Sequence, residues 1–379
     1  MSTTGGLQVR GIDPSSLIEV ERCGAAFTDD SEEADALTVA HRHGVNLVRL
    51  RVWVDPRDAE GRGYLGGGND LGTSTAIAAR AASLGMQVMV DLHYSDFWTD
   101  PRKQQLPRGW EGLSYREVRE EVGTYTERVL TAFVEAGARP ARVQVGNEIT
   151  NGMLWPHGRL PHYDDAARSR RGTAVEVERA FDALVPLLRA GGEATRRVLP
   201  EALLVTHLDQ GGHLGMYRDW FDAALARGLD TDEIGLSYYP FWHGPLAELS
   251  SNLAFLAERY GKGLIVLETA YGYAPREDGD RTLVFSRELA QAGGYPGTPE
   301  GQAAYLEALR EAVAAVPGGL GLGFVYWEPA WVAVPGTSWA SPAGMAYSDD
   351  VAPAGASWAN QALFDRDGRA LPAWGAFRP

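Results

Sequence analysis

A single cysteine, Cys23, stands among 379 residues, so an internal disulfide framework and a cysteine-rich zinc site are both excluded. No apolar run approaches the roughly 20 residues that a helix needs to cross a bilayer. Positive charge is short as well: 35 Lys plus Arg face 50 Asp plus Glu, and the formal charge of −15 repels polyanions such as nucleic acid. The opening stretch Met1-Ser2-Thr3-Thr4-Gly5-Gly6 has neither a basic start nor an apolar segment. No secretory signal is read there, and a cytoplasmic location is expected unless a signal was removed. What remains is near-average, 45% hydrophobic and 22% charged, with 11 Trp and 15 Tyr that often fall beside loop signals. Aromatics so placed suit a neutral ligand, and the expected partner is neither nucleic acid nor a membrane. The chain is expected to be a monomer.

Strand-like apolar runs alternate with helix-period stretches rich in Ala, Leu, Arg and Glu. Eight strands are expected: Val9 to Asp13, Asn46 to Trp53, Gln87 to Leu92, Arg142 to Asn147, Leu203 to His207, Ile234 to Tyr239, Leu264 to Glu268 and Leu322 to Trp327. The helices between them are Glu33 to His43, Thr73 to Leu84, Tyr115 to Ala136, Ala174 to Leu199, Tyr217 to Arg227, Pro245 to Tyr260 and Gly301 to Val316. Strict alternation forces a parallel sheet, and eight repeats imply an α/β fold, one (β/α)₈ TIM barrel over residues 1–379. Gly44, Gly85, Gly137, Gly228 and Gly261 each follow a helical stretch, as a helix C-terminus before a short loop requires. The βα connections Tyr94 to Ser114, Glu148 to Arg171 and Thr269 to Glu300 are long, which marks the functional face of a barrel.

The residues at the strand ends form a polar, aromatic ring: Asp13; Arg49, Arg51 and Trp53; Asp91 and His93; Asn147 and Glu148; His207 and Asp209; Tyr238 and Tyr239; Glu268; Trp327 and Glu328. Val143-Gln144-Val145-Gly146-Asn147-Glu148 and Leu264-Ile265-Val266-Leu267-Glu268 each deliver a glutamate at a strand tip, and paired carboxylates suit glycoside chemistry. Arg49 and Arg51 share one strand face, and an arginine aimed into the mouth needs a carboxylate partner. Two rival readings follow from the same residues. A metal-dependent hydrolase would use His93, His207 and Asp209, but such a site needs more nitrogen ligands. A sugar-binding barrel without catalysis has both glutamates against it.

The runs Val48 to Pro56, Asp91 to Pro101, Gly146-Asn147-Glu148-Ile149, Leu154-Trp155-Pro156, His207-Leu208-Asp209, Ser237 to Phe241 and Tyr326 to Trp331 resemble the arabinogalactan endo-β-1,4-galactanases, glycoside hydrolase family 53. The resemblance extends over nearly the whole chain and implies a clan A barrel that cleaves galactan with retention. It implies Glu148 as acid/base and Glu268 as nucleophile, with no cofactor in the chemistry and carboxyl groups about 5–5.5 Å apart. Another sugar, or exo action, is the alternative within the same clan; the family itself is mostly secreted. Supporting roles are expected for Arg49, Arg51, His93, Asp96, Asn147, His207, Asp209 and Tyr238. Trp98, Trp155, Tyr239, Trp242, Trp327 and Trp331 are expected to contact sugar rings. Some members carry calcium in the loop after the seventh strand. Asp278-Gly279-Asp280 resembles the start of that site, although Arg281-Thr282-Leu283-Val284 departs from its continuation. The loop Asp209-Gln210-Gly211-Gly212-His213 departs from the family pattern too, so one sugar subsite is expected to differ.

Overall fold

The computed structural model describes residues 6–164 and 169–379. Eight parallel strands close into a barrel: β1 Val9–Asp13, β2 Leu47–Val52, β3 Gln87–Leu92, β4 Arg142–Val145, β5 Leu203–Leu208, β6 Glu233–Ser237, β7 Gly263–Thr269 and β8 Gly321–Trp327. They run in chain order around the barrel, and β8 closes on β1 with Val9 opposite Gly323 and Asp13 opposite Trp327. All eight expected strands occur, β1 and β3 with the expected bounds.

The helices are α1 Leu17–Arg22, α2 Ala36–Arg42, α3 Leu71–Ser83, α4 Tyr115–Glu135, α5 Ala174–Val198, α6 Leu214–Leu225, α7 Leu246–Tyr260, α8 Arg287–Gly293, α9 Pro299–Ala314 and α10 Pro342–Ser348. Their starts are chemically defined. Asp35 caps α2 by accepting from the Leu37 and Thr38 amides, and Ser114 with Glu117 and Thr173 with Glu176 form capping boxes on α4 and α5. The helix expected from Glu33 begins at Ala36 because Glu32–Glu33 pairs with Thr28–Asp29 in a short antiparallel ladder. α1, α8 and α10 were not expected; each spans only six or seven residues, too short for a helical period to show. Among the described residues no helix is long and apolar enough to cross a membrane.

Strand alternation sorts the barrel interior into two layers. Val9, Leu47, Met89, Val205, Ile265, Leu267 and Val325 form a buried cluster separate from the larger one between strands and helices. Further along the same inward faces come Asp13, Arg49, Asp91, His207 and Trp327, so the lower barrel is oil and the upper barrel is charge. β7 breaks the pattern. Leu236 of β6 lies opposite Val266, yet the next residue, Ser237, lies opposite Glu268, a bulge of one residue. Ile265 and Leu267 face inward, so unbroken alternation would turn Glu268 out to the helices; the bulge returns it to the interior. Gly235 makes the room, since a Cβ there would lie 2.2 Å from Leu267 Cδ1.

Described residues of the long connections, Thr99, His162 and Arg281 among them, gather with the strand-tip residues around one cleft, while residues 165–168 of the second connection lie outside the described residues. The stretch after β8 folds back onto the first of these connections: the Tyr347 hydroxyl donates to the Leu106 carbonyl (3.0 Å), and Lys103 Nζ pairs with Asp350 (2.5 Å).

Candidate active site

Arg49 is the hub of the upper barrel. It is 1% exposed, and its guanidinium reaches Asp13 (2.8 Å), Asp91 (2.9 Å) and Glu268 (3.0 Å). Its Nε donates to Gln144 Oε1 (3.0 Å) and its Nη2 to Asn147 Oδ1 (2.9 Å). Burial alone would work against the guanidinium charge, but Asp91, Glu268 and Asp13 outweigh it and hold the arginine charged. In return, although burial pushes Asp91 upward, Arg49 and His93 keep it below the usual carboxylate range. Arg49 and Arg51 stand among Asp13, Asp91, Glu268, Glu328 and Asp209, so acids outnumber these two cations, which disfavours an anionic ligand.

The two glutamates meet different surroundings. Glu268 receives Arg49 on one oxygen and the Tyr239 hydroxyl on the other (3.2 Å). Burial pushes Glu268 up to about 7, with Arg49 opposing and Asp91 and Asp13 adding to the rise. The same burial, reinforced by Glu268, holds the Tyr239 hydroxyl protonated, so it stays a donor. Glu148 follows β4 with left-handed backbone, φ 46° and ψ 51°, a costly conformation for a residue with a side chain. Among the described residues no lysine or arginine pairs with it. Burial, then Glu268, then Asp209 raise Glu148 well above the ordinary range, against a smaller opposing effect of Ser237. Near neutrality the pair therefore holds its first proton on Glu148, because only Glu268 has a cation.

Both glutamates line a cleft of about 880 Å³ together with Arg49, Arg51, His93, Trp98, Asn147, Asp209, Tyr239, Trp242 and Trp327. Asp209 accepts from the Thr150 hydroxyl. His93 donates through Nε2 to Asp91 (3.0 Å) and accepts at Nδ1 from the Thr99 hydroxyl (2.8 Å). Arg51 pairs with Glu328 (2.5 Å) beneath Trp98, whose ring centroid lies 4.4 Å from the guanidinium carbon.

Five of the residues expected to act on or hold the substrate lie outside that lining, as do the two expected calcium ligands. Asp96 is committed to the Asp55 amide (3.1 Å) and the Arg108 amide (2.9 Å). Trp155 is half-buried outside the lining, donating to the Asn151 carbonyl (3.0 Å) with the Arg159 guanidinium carbon 4.4 Å from its ring centroid. Tyr238 points away, donating to Gly244 (2.8 Å), and Trp331 is buried behind Trp339 (5.8 Å). His207 lies below the cleft floor between Gln144 (3.0 Å) and Ser237 (2.9 Å), which also separates it from any metal site shared with His93 and Asp209. Asp278 and Asp280 do not fit a calcium cradle of about six to eight oxygens. Asp278 is exposed, with Arg287 at 3.9 Å, and Asp280 Oδ1 accepts from the Thr282 amide and hydroxyl (2.7 and 2.6 Å). Among the described residues no three His, Cys, Asp or Glu side chains are placed to hold a metal ion.

Other residues enter the site without having been expected. Trp339 and Trp358 line the cleft from the irregular segment after β8, which has no periodicity to read. Gln144 and Ser237 did carry a signal: each is a polar residue beside apolar neighbours, on an inward face of its strand.

The protein-family model described as "Glycosyl hydrolase family 53" matches residues 9–377. An endo-β-1,4-galactanase of Bacillus subtilis is 34% identical over 98% of this chain and 85% of its own length. The solved GH53 catalytic domain of Ignisphaera aggregans superposes with a TM-score of 0.86 at 36% identity, covering 98% of this chain and 95% of that one. A structure from a study of two fungal β-1,4-galactanases gives a TM-score of 0.76 at 28% identity, covering 98% and 99%. Sequence, barrel and extent of the match agree, and the chain belongs to glycosyl hydrolase family 53.

Proposed function

We propose that the chain is a retaining endo-β-1,4-galactanase in which Glu148 is the acid/base and Glu268 the nucleophile. The observation that carries the roles is the unequal charging of two carboxyls in one cleft: Arg49 at 3.0 Å favours the anion on Glu268, whereas among the described residues no lysine or arginine pairs with Glu148, which has the acids Glu268 and Asp209 near it. Membership of family 53 and relatives named as β-1,4-galactanases support the substrate. In the first step Glu148 gives its proton to the glycosidic oxygen while Glu268 attacks the anomeric carbon, displacing the leaving sugar and forming a glycosyl ester. Glu148, now an anion, then takes a proton from water as that water attacks the same carbon and releases Glu268. Two displacements at one carbon give net retention. Asn147, whose carbonyl is held by Arg49, suits the sugar 2-OH, where a hydrogen bond strengthens towards the oxocarbenium-like transition state.

Endo action has its own support. From Trp327 the aromatic surface continues through Trp358 (4.8 Å) to Trp242 (6.1 Å), which is 49% exposed at the rim. A platform reaching from the glutamates to solvent suits several sugars of one chain better than a single terminal residue. The test is digestion of linear β-1,4-galactan, beside cellulose, mannan and β-1,3-galactan, with proton NMR of the first products. Short β-anomeric galacto-oligosaccharides and an early fall in viscosity are expected from the first polymer alone. Free galactose with unchanged viscosity, or α-anomers, would overturn the endo or the retaining assignment respectively.

A further inference from the structure

Two of the segments that wall the cleft are joined through one side-chain amide. Asn360 lies in the single 3₁₀ turn Ala359–Gln361, after β8, and is buried. Its Nδ2 donates to the Ala274 carbonyl (2.9 Å) and to the Phe285 carbonyl (2.8 Å), so its two hydrogens hold both ends of the loop 275–284 that follows β7. A carbonyl only accepts, which fixes the amide nitrogen, and not its oxygen, towards the loop. Backbone bonds extend the seam: the Tyr273 amide donates to the Asn360 carbonyl (3.0 Å), and the Val284 amide to the Ser357 carbonyl (2.8 Å). Beyond Asn360 the segment is fixed to the barrel, where Gln302 Nε2 on α9 donates to the Ala362 carbonyl (2.9 Å) and the Leu363 amide to the Pro329 carbonyl (2.8 Å). Trp358 stands between these anchors, two residues before Asn360. Its ring lines the cleft, edge-on to Trp327 (4.8 Å) and to Tyr239 (5.7 Å). Contacts between rings tolerate several arrangements, so the backbone that carries Trp358 sets where the ring stands.

We propose that Asn360 is a positioning residue for Trp358: by tying the turn beside this ring to both ends of the loop after β7, it sets the aromatic surface on which a galactan chain rests beyond the glutamates. This rests on the reading of Trp327, Trp358 and Trp242 as a platform for sugars. The loop contributes Arg281 and Val284 to the cleft lining and the segment contributes Ser357 and Trp358, so the seam that Asn360 closes runs along the wall of the cleft. Asn360 itself touches no reacting atom. Glu268 has its own holds in Arg49 (3.0 Å) and the Tyr239 hydroxyl (3.2 Å), so the amide governs how tightly the polymer is bound rather than how fast a bound linkage is cut.

The experiment compares wild type, Asn360→Leu, Trp358→Ala and the double variant, reading kcat and KM on soluble β-1,4-galactan with Tm alongside. Leucine has nearly the shape of asparagine and neither donor. Asn360→Leu should raise KM about tenfold, the worth of one well-placed ring contact, with kcat held within about twofold. Trp358→Ala should raise KM at least as much, and adding Asn360→Leu to it should raise KM by no more than about twofold, because the ring through which the amide acts is gone. Additive effects overturn the proposal, and so does a lower Tm with KM unmoved, which is what a merely structural amide would give. A second measurement needs no variant to fold. In the wild-type protein the Tyr273 and Val284 amides should exchange with deuterium at least about a hundredfold more slowly than unprotected amides; exchange at the unprotected rate means that the seam is open, and also overturns it. An unchanged KM in Trp358→Ala would instead remove the platform reading itself, whatever Asn360 does.

Discussion

Tyr239→Phe isolates one of the two interactions that favour the anion of Glu268. The hydroxyl donates to Glu268 Oε2 at 3.2 Å, and the ring packs edge-on to Trp242 (5.4 Å) and Trp358 (5.7 Å). Phenylalanine keeps that packing and removes only the donor. A hydrogen bond to a charged group contributes about 1.5–3 kcal/mol, or roughly one to two pKa units. The long 3.2 Å bond places the expectation at the lower end, about one unit. The sign is fixed: losing a donor to the anion raises the proton affinity of Glu268, so activity is lost at a higher pH on acidification. The acidic limb of kcat/KM should therefore move up by about one unit, with a loss of about tenfold on the acid side and a smaller one on the plateau. The assay is kcat/KM on soluble galactan from pH 4 to 9, with Tm measured alongside to establish that packing survives. A lowered plateau with the acidic limb unmoved would refute the reasoning, because the hydroxyl would then be acting on substrate rather than on Glu268.

Glu268→Ala should abolish turnover, with added azide restoring it as the α-glycosyl azide; Glu148→Ala should give the β-azide and still cleave substrates with good leaving groups. NMR of the azide anomers checks this, and the opposite configurations would exchange the two roles. Arg49→Met leaves buried Asp91 and Glu268 without their arginine, and Asp13 with only Arg51 at 3.7 Å, and should cost about 3–5 kcal/mol in chemical denaturation. Because Arg49 depresses Asp91, its contribution is present above the unfolded carboxylate range and fades as pH falls through the folded value, so the gap from wild type should narrow in acid. Gly235→Ala should force Leu267 aside, costing about 1–3 kcal/mol as overpacking and lowering kcat without a matching rise in KM. Exhaustive chelation should leave Tm and activity unchanged, as checked by calorimetry and reducing-sugar release, since Asp278 and Asp280 do not converge.

The barrel was legible because its signals are local and repeated. Apolar runs of strand length alternate with helical stretches, and Gly44, Gly85, Gly137, Gly228 and Gly261 all take positive φ where helices end. The strand tips were legible for the same reason, since a polar residue closing a buried run has few places to point. What could not be read depends on contacts between distant segments. Trp155 and Trp331 look like cleft aromatics until the fold sets Trp155 beside Arg159 and buries Trp331 behind Trp339, and Trp339 and Trp358 arrive from a stretch without any period. His207 ends a strand as His93 does, yet it lies one layer deeper, among the amides that Arg49 orients.

The bulge in β7 puts two successive residues, Leu267 and Glu268, on the same side of the sheet, so the apolar floor and the carboxylate above it are neighbours in the chain. A relative whose seventh strand ran without the bulge would need its glutamate one residue earlier to reach the same point in space. A column-by-column alignment would then set that glutamate against Leu267 and leave Glu268 facing a non-acid. Loss of the glutamate in such an alignment is therefore no evidence of a dead enzyme.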